Sequence, residues 1–265
     1  MSSRQRSTPW LHAALLAALC AVAGTAAAAP ASAATAAPTS ADAVFKPMFT
    51  TPQGPLNAGT AFVARFDHCD GPVLLTAIHL FGPGGGLPQP MSSDDVKHGV
   101  SQAELTGFGR NAKHMLFEVD SLTPENATPC CTSDRMVGVG DVAAFTAPAR
   151  LKPIALPLAP DSPIAGDRVT LLAPLAGGTD AGLRHDAVVI GMHDGFLLYK
   201  FDDPDIQLRA TSGAPVVDSA GRVVAINLTG GHLAKDDPAA TIGGGNPVIA
   251  WRGAVEAACQ ASTQK

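Results

Sequence analysis

From residue 44 to residue 252, short apolar runs alternate with Gly, Pro and Asp punctuation. GTAFVARF (59–66) and GPVLLTAI (71–78) are separated only by DHCD. Such a pair of β-branched and aromatic runs around turn residues predicts a hairpin. HMLFEVDSL (114–122) and MVGVGDVAAFTA (136–147) predict further strands. The prolines of PARLKPIALPLAPDSP (148–163) then break the pattern, as a connector between two halves would. RVTLLAPL, HDAVVIGM, GFLLYKF, GAPVV and RVVAINLT predict the strands of the second half. PVIA leads into WRGAVEAACQ (251–260), whose pattern predicts the one helix of the mature chain. Evenly spaced short strands without an internal repeat indicate an all-β sandwich or barrel.

The first thirty-odd residues stand apart from this pattern. Arg4 and Arg6 precede the apolar run LHAALLAALCAVAG, and small residues follow at AAA (27–29) and ASA (31–33). This is the layout of a cleavable export signal, and the run is short for a membrane span. The expected organisation is a signal peptide over 1–33, a flexible leader over 34–43 and an N-terminal β-barrel over 44–150. A connector over 151–163, a C-terminal β-barrel over 164–252 and a helix with tail over 253–265 complete it. The expected location is secreted or periplasmic, with no membrane association once the signal is removed.

Composition removes several functional classes. The 265 residues carry a formal net charge of −5, with no basic run, and aromatics make up 5%. Neither a nucleic-acid surface nor a base-stacking platform is indicated. FGPGGG (81–86) and IGGGN (242–246) lack the GK[ST] of a phosphate loop and are expected to be surface turns. DDPD (202–205) reads as a solvated turn, because correctly spaced oxygen ligands for calcium are missing. His68, His98, His114, His185 and His193 show no HExxH spacing. No metal or cofactor is expected.

Removal of Cys20 with the signal leaves Cys69, Cys130, Cys131 and Cys259. Adjacent Cα atoms lie about 3.8 Å apart, short of the usual disulfide span of about 4.4–6.8 Å. A Cys130–Cys131 bond is therefore disfavoured. The two remaining pairings each join Cys69 and Cys259 to the loop at 130–131.

Three residues carry candidate chemistry: His79 in LLTAIHLFG, Asp141 in VGVGDVAAF and Ser212 in ATSGAPVV. Each alone has a bland reading, as a packed imidazole, a strand-opening carboxylate and a turn serine. Together they supply a hydroxyl, a base for its proton and a carboxylate to orient the base. Their order, and the contexts GTAF, TAIH, GDVAAFTAP and TSGAPVVDSAGRVVAIN, resemble the chymotrypsin-like serine peptidases, especially their bacterial secreted, trypsin-like branch. The resemblance spans roughly residues 44 to 252. It implies two six-stranded antiparallel β-barrels, a site between them, and a protein or peptide substrate. It makes His79 the general base, Asp141 its orienter and Ser212 the nucleophile, with the N–H groups of Ala210 and Ser212 binding the oxyanion.

The chain departs from that family at several positions. Ala210 stands where the family has Gly, and a Cβ is unfavourable there if φ is positive. Thr211 replaces the Asp that pairs with a new amino terminus in trypsin-type zymogens, so activation by that ion pair is not expected. Leu80 replaces the Cys that commonly follows the catalytic His, and Ala214 replaces the second Gly of the motif. Ile206 stands at the place of trypsin's acidic pocket base, which disfavours Lys/Arg preference. Asn227, Thr229 and His232 are candidates for binding a polar or acidic side chain. The leading expectation is a secreted serine endopeptidase. A catalytically impaired binding module with a relaxed oxyanion hole is the alternative, and an esterase-like hydrolase lacks support because no GxSxG is present.

Overall fold

The structure is a computed structural model that describes residues 39–57, 59–108, 114–129, 140–175, 182–232 and 240–263. The first half contains β1 (Val44–Thr51), β2 (Gly54–Leu56), β3 (Ala61–Arg65), β4 (Val73–Thr76), β5 (Gln102–Gly107), β6 (His114–Glu118), β7 (Ala143–Thr146) and β8 (Leu156–Pro157). The second half contains β9 (Arg168–Leu172), β10 (Arg184–His193), β11 (Phe196–Phe201), β12 (Pro215–Asp218), β13 (Val223–His232) and β14 (Thr241–Pro247). Helix α1 (Val248–Thr263) follows directly.

The second half is a closed barrel in the order β10-β11-β14-β13-β12-β9. The first half is an eight-stranded sheet along β6-β5-β1-β3-β4-β7, with β2 on β1 and β8 on β3. It is not the closed six-stranded barrel expected from the sequence. Its ends approach each other through irregular chain: Leu122 N–H donates to Ala144 O (2.8 Å) and Thr146 N–H to Asp120 O (2.9 Å). Pro124 and the turn after it stop this contact from lengthening into a ladder.

The expected β3–β4 hairpin forms, with Phe62 opposite Leu75. Strands β1 and β5 escaped the sequence reading, because Pro47 interrupts one and polar residues dominate the other. Pro47 is tolerated because β3 pairs with β1 at 44–45 and β2 pairs at 49–51, which leaves 46–48 between two ladders on that flank. IGGGN is a further correction. It is the heart of β14, buried along its whole length, rather than a surface turn. The glycines are needed there: a Cβ on Gly243 would lie 2.1 Å from Cε2 of Tyr199.

The first core centres on Phe49, Phe81 and Phe145, with ring centroids 5.2, 5.3 and 5.9 Å apart. Each buried ring contributes on the order of 2–3 kcal/mol. The cluster anchors the segment that carries His79, because Phe81 is two residues away. Helix α1 starts earlier than the expected 253, immediately after Pro247 closes β14. Val248, Trp251, Val255 and Cys259 form its buried stripe. Trp251 packs on Phe66 at 6.2 Å, and its indole N–H donates to Asn246 O (3.2 Å). Thr39 to Ala43, assigned from sequence to the leader, form a capped turn in which Asp42 is buried.

Cys69 and Cys259 are bonded to each other, with Cα atoms 5.3 Å apart. Both pairings favoured by adjacency are thereby excluded, and Cys130 and Cys131 lie outside the described residues. The adjacency rule weighed one local bond and ignored that α1 returns the C-terminus to the β3–β4 turn. The crosslink spans 190 residues of sequence, so it restricts the unfolded chain strongly. The double variant Cys69→Ser/Cys259→Ser is expected to lose about 2–4 kcal/mol of stability in urea denaturation. A non-reduced peptide map of the wild type should contain the 69–259 linkage.

Candidate active site

Strand β4 ends at Thr76, and Ile78–Phe81 makes a single 3-10 turn. Ile78, Leu80 and Phe81 point into the core, which leaves His79 on the open side with its side chain 14% exposed. Asp141, two residues before β7, is 1% exposed. Its Oδ1 accepts the His79 backbone N–H at 2.9 Å, and its Oδ2 faces Nδ1 of the imidazole at 2.6 Å. A buried carboxylate is costly unless partnered, and these two bonds replace its water. An ionised carboxylate accepts only, so Nδ1 carries the proton and the lone pair is left on Nε2. FGPGGG is a turn with Gly84 and Gly86 exposed, as expected, and it also lies against His79 and Leu80. A Cβ on Gly84 would lie 2.7 Å from His79 Cδ2, and one on Gly85 would lie 1.8 Å from Leu80 O.

Ser212 arrives from the other half of the chain. Its carbonyl accepts the Thr60 N–H (2.8 Å), and the Thr60 hydroxyl donates to Ala210 O (3.0 Å). Gly213, at φ +86°, fits against the same strands. A Cβ there would lie 2.2 Å from Thr60 O, 2.4 Å from Thr76 Oγ1 and 3.0 Å from Ala77 N. The Ser212 loop thus rests on the start of the His79 turn. The Ser212 hydroxyl donates to Leu228 O at 3.0 Å in this structure. Leu228 sits at an irregularity of the β13–β14 ladder, between Asn227 and Thr229, which re-aims its backbone.

Ala210 has φ +66°. Thr211 N–H bonds Leu208 O at 3.3 Å, so Leu208–Thr211 is a type II turn with Ala210 at the position that favours Gly. Among the described residues, the N–H groups of Ala210 and Ser212 donate to no backbone carbonyl.

The expected pocket residues separate. Ile206 is 5% exposed in the second core, at the edge of a cleft of about 330 Å³ that Leu208, Gly230, Gly231 and Thr241 also line. Thr229 is exposed on β13. Asn227 is 1% exposed and lies beneath the Ser212 loop, bonded to Thr211 and Tyr199. His232 pairs with Thr241 through the backbone, and its side chain lies outside the described residues. In DDPD, Asp202 is taken by Arg168 at 2.8 Å, and that hydrogen bond holds its carboxyl below the usual range. Among the described residues, no group of three or more ligand-type side chains is placed to hold a metal ion. Thr60, Thr76 and Tyr199 were missed from sequence. Only the GT before β3 and the glycines opposite Tyr199 hint at them.

Among solved structures, a thermostable serine protease, AL20, from an extremophilic microorganism superposes with a TM-score of 0.54 at 13% identity. That match covers 83% of this chain and 98% of the other. The serine endoprotease from Yersinia pestis gives 0.51 at 16% identity, over 84% of this chain and 64% of its own. The HtrA-type protease AlgW, with a decapeptide, gives 0.50 at 15% identity, over 83% and 65%. The fold is that of the chymotrypsin-like serine proteases. No family model and no curated protein matches the sequence. The chain spans just under two thirds of the length of the Yersinia enzyme and of AlgW.

Among the described residues, Asp194 and Ala210 are the non-glycine residues at left-handed φ, and Ala210 lacks the polar side chain that eases that conformation. Left-handed φ costs an alanine more than a glycine, which has no Cβ to clash. Ala210→Gly is expected to raise stability by about 0.5–1 kcal/mol in chemical denaturation. No gain would show that the turn is relaxed in solution.

Proposed function

We propose that the protein is an exported serine endopeptidase that cuts peptide bonds by acyl transfer. The observation that carries this reading is the buried Asp141 carboxylate holding His79 in one tautomer beside the Ser212 loop, in a protease fold. Rotation of the Ser212 side chain from Leu228 O toward Nε2 of His79 starts the reaction. Oγ attacks the substrate carbonyl carbon while its proton passes to Nε2, and Asp141 stabilises the resulting imidazolium. The new oxyanion accepts hydrogen bonds from the N–H groups of Ala210 and Ser212, a contribution of about 10²–10³ in rate per donor. The tetrahedral adduct collapses, the C–N bond breaks, and His79 returns the proton to the leaving amine. Water then attacks the acyl ester with His79 again as base, which releases the acid and restores Ser212.

A peptide substrate is supported by the decapeptide in the AlgW structure and by the cleft at Leu208 and Gly230. Export is supported by the N-terminal signature and by the Cys69–Cys259 bond, since such crosslinks persist in oxidising compartments. The second reading, a catalytically impaired binding module on the protease fold, is favoured by the Ser212–Leu228 bond and by Ala210.

A serine-directed fluorophosphonate separates the two. The endopeptidase is expected to be labelled at Ser212, with Ser212→Ala unlabelled. Hydrolysis of casein should fall by about 10⁴–10⁶ in Ser212→Ala and His79→Ala, and by about 10³–10⁴ in Asp141→Asn. A well-folded wild type that takes no label and leaves casein intact is the binding module.

A further inference from the structure

Beneath the nucleophile loop lies a chain of neutral hydrogen bonds that the reaction itself does not use. Asn227 Nδ2 donates to Thr211 O at 3.2 Å and to Thr211 Oγ1 at 3.0 Å. The Thr211 hydroxyl donates to Leu208 O at 2.7 Å. The Tyr199 hydroxyl donates to Asn227 Oδ1. Asn227 also grips the far side of the nucleophile through its backbone. Its N–H donates to Ala214 O, and its O accepts from Gly213 N–H, both at 2.8 Å.

The direction of this chain is forced. Leu208 O and Thr211 O are acceptors only, so the Thr211 hydroxyl must donate to one and the Asn227 amide nitrogen must face the other. Asn227 Oδ1 is then turned to Tyr199, which must donate. Burial pushes the Tyr199 hydroxyl far above the ordinary phenol range, so it keeps that proton at any working pH. Tyr199 in turn fits only because β14 is glycine-rich. A Cβ on Gly243 would lie 2.1 Å from its ring. The three partners come from β11, β13 and the loop, and Tyr199, Thr211 and Asn227 are each at most 1% exposed.

We propose that Tyr199, Asn227 and Thr211 act as a positioning relay that holds the Leu208–Thr211 turn, and so the N–H groups around Ser212, in the reactive geometry without any charged group. The relay ends on Leu208 O, the acceptor that also closes the type II turn. It therefore fixes Leu208 O and Thr211, the two ends of the turn whose middle carries the Ala210 N–H. A neutral relay is complete as soon as the barrel folds, so cutting the chain to create a new amino terminus is not required. The inference rests on the serine endopeptidase reading.

The test uses Tyr199→Phe, Thr211→Val and Thr211→Ser in the full mature protein, with a fluorophosphonate and a peptide p-nitroanilide as probes. Tyr199→Phe and Thr211→Val are expected to lower kcat, and the labelling rate of Ser212, by about 10–100-fold with KM within about twofold, because a small misplacement of the donors acts on the transition state. Thr211→Ser keeps the hydroxyl and should stay within about threefold of wild type. Adding Ala210→Gly to Thr211→Val should recover part of the loss, since glycine takes the left-handed φ at 210 without strain. Amide exchange at 208–213 should quicken in the two damaging variants. If these variants label and turn over at the wild-type rate per folded molecule, the relay is only structural and the proposal falls. If Tyr199→Phe does not fold, Thr211→Val against Thr211→Ser decides alone. A wild type that takes no label removes the endopeptidase reading and the relay with it.

Discussion

The space between Thr60, Thr76 and Ala77 admits a backbone and no side chain, and Gly213 occupies it. That contact brings the loop of the second half onto the strands that lead to His79. A residue with a Cβ would have to displace a carbonyl, a hydroxyl and an amide at once. The Thr60 bonds to Ser212 O and Ala210 O, and the Thr76 hydroxyl bond to Thr60 O, all depend on the loop resting this close. The place of Ser212 beside the His79 turn is thus a consequence of packing distant segments of the chain at one point.

Around that point the molecule divides its polar groups by task. The charged carboxylate lies on the first half, where two hydrogen bonds from His79 compensate its burial. Beneath Ser212 the supports are neutral: a phenol, an amide and a hydroxyl. Neutral groups lose less on desolvation than an ion pair, and their directional bonds constrain a turn as effectively when each donor finds its acceptor. The crosslink between Cys69 and Cys259 closes the assembly at the opposite end of the β3–β4 hairpin.

Several elements were legible in the sequence because the signal is local. The β3–β4 hairpin, the five strand segments named in the second half and α1 carry their pattern in consecutive residues, and all form. His79 and Asp141, 62 residues apart, were legible as a pair through their motifs, and they meet. Other features were hidden because their cause lies elsewhere in the chain. IGGGN looked like a loop because glycine has low strand propensity, yet Tyr199 on the neighbouring strand needs that bare backbone. FGPGGG is the surface turn it looked like, but nothing local shows that two of its glycines lie against His79 and Leu80. Asn227 looked like a pocket residue, although its side chain is committed to the loop beneath Ser212.

The sequence by itself determined the β-rich class of the fold, the order of His79, Asp141 and Ser212, and the unfavourable residue at 210. These are properties of periodicity, turn chemistry and residue type, and each is written within a few positions. Only the tertiary structure decided the partner of Cys69, the open first sheet, the left-handed turn at Ala210 and the buried place of Tyr199, Asn227 and Thr211. Each of those depends on which distant backbones come within hydrogen-bond or van der Waals distance, and no local pattern encodes that distance.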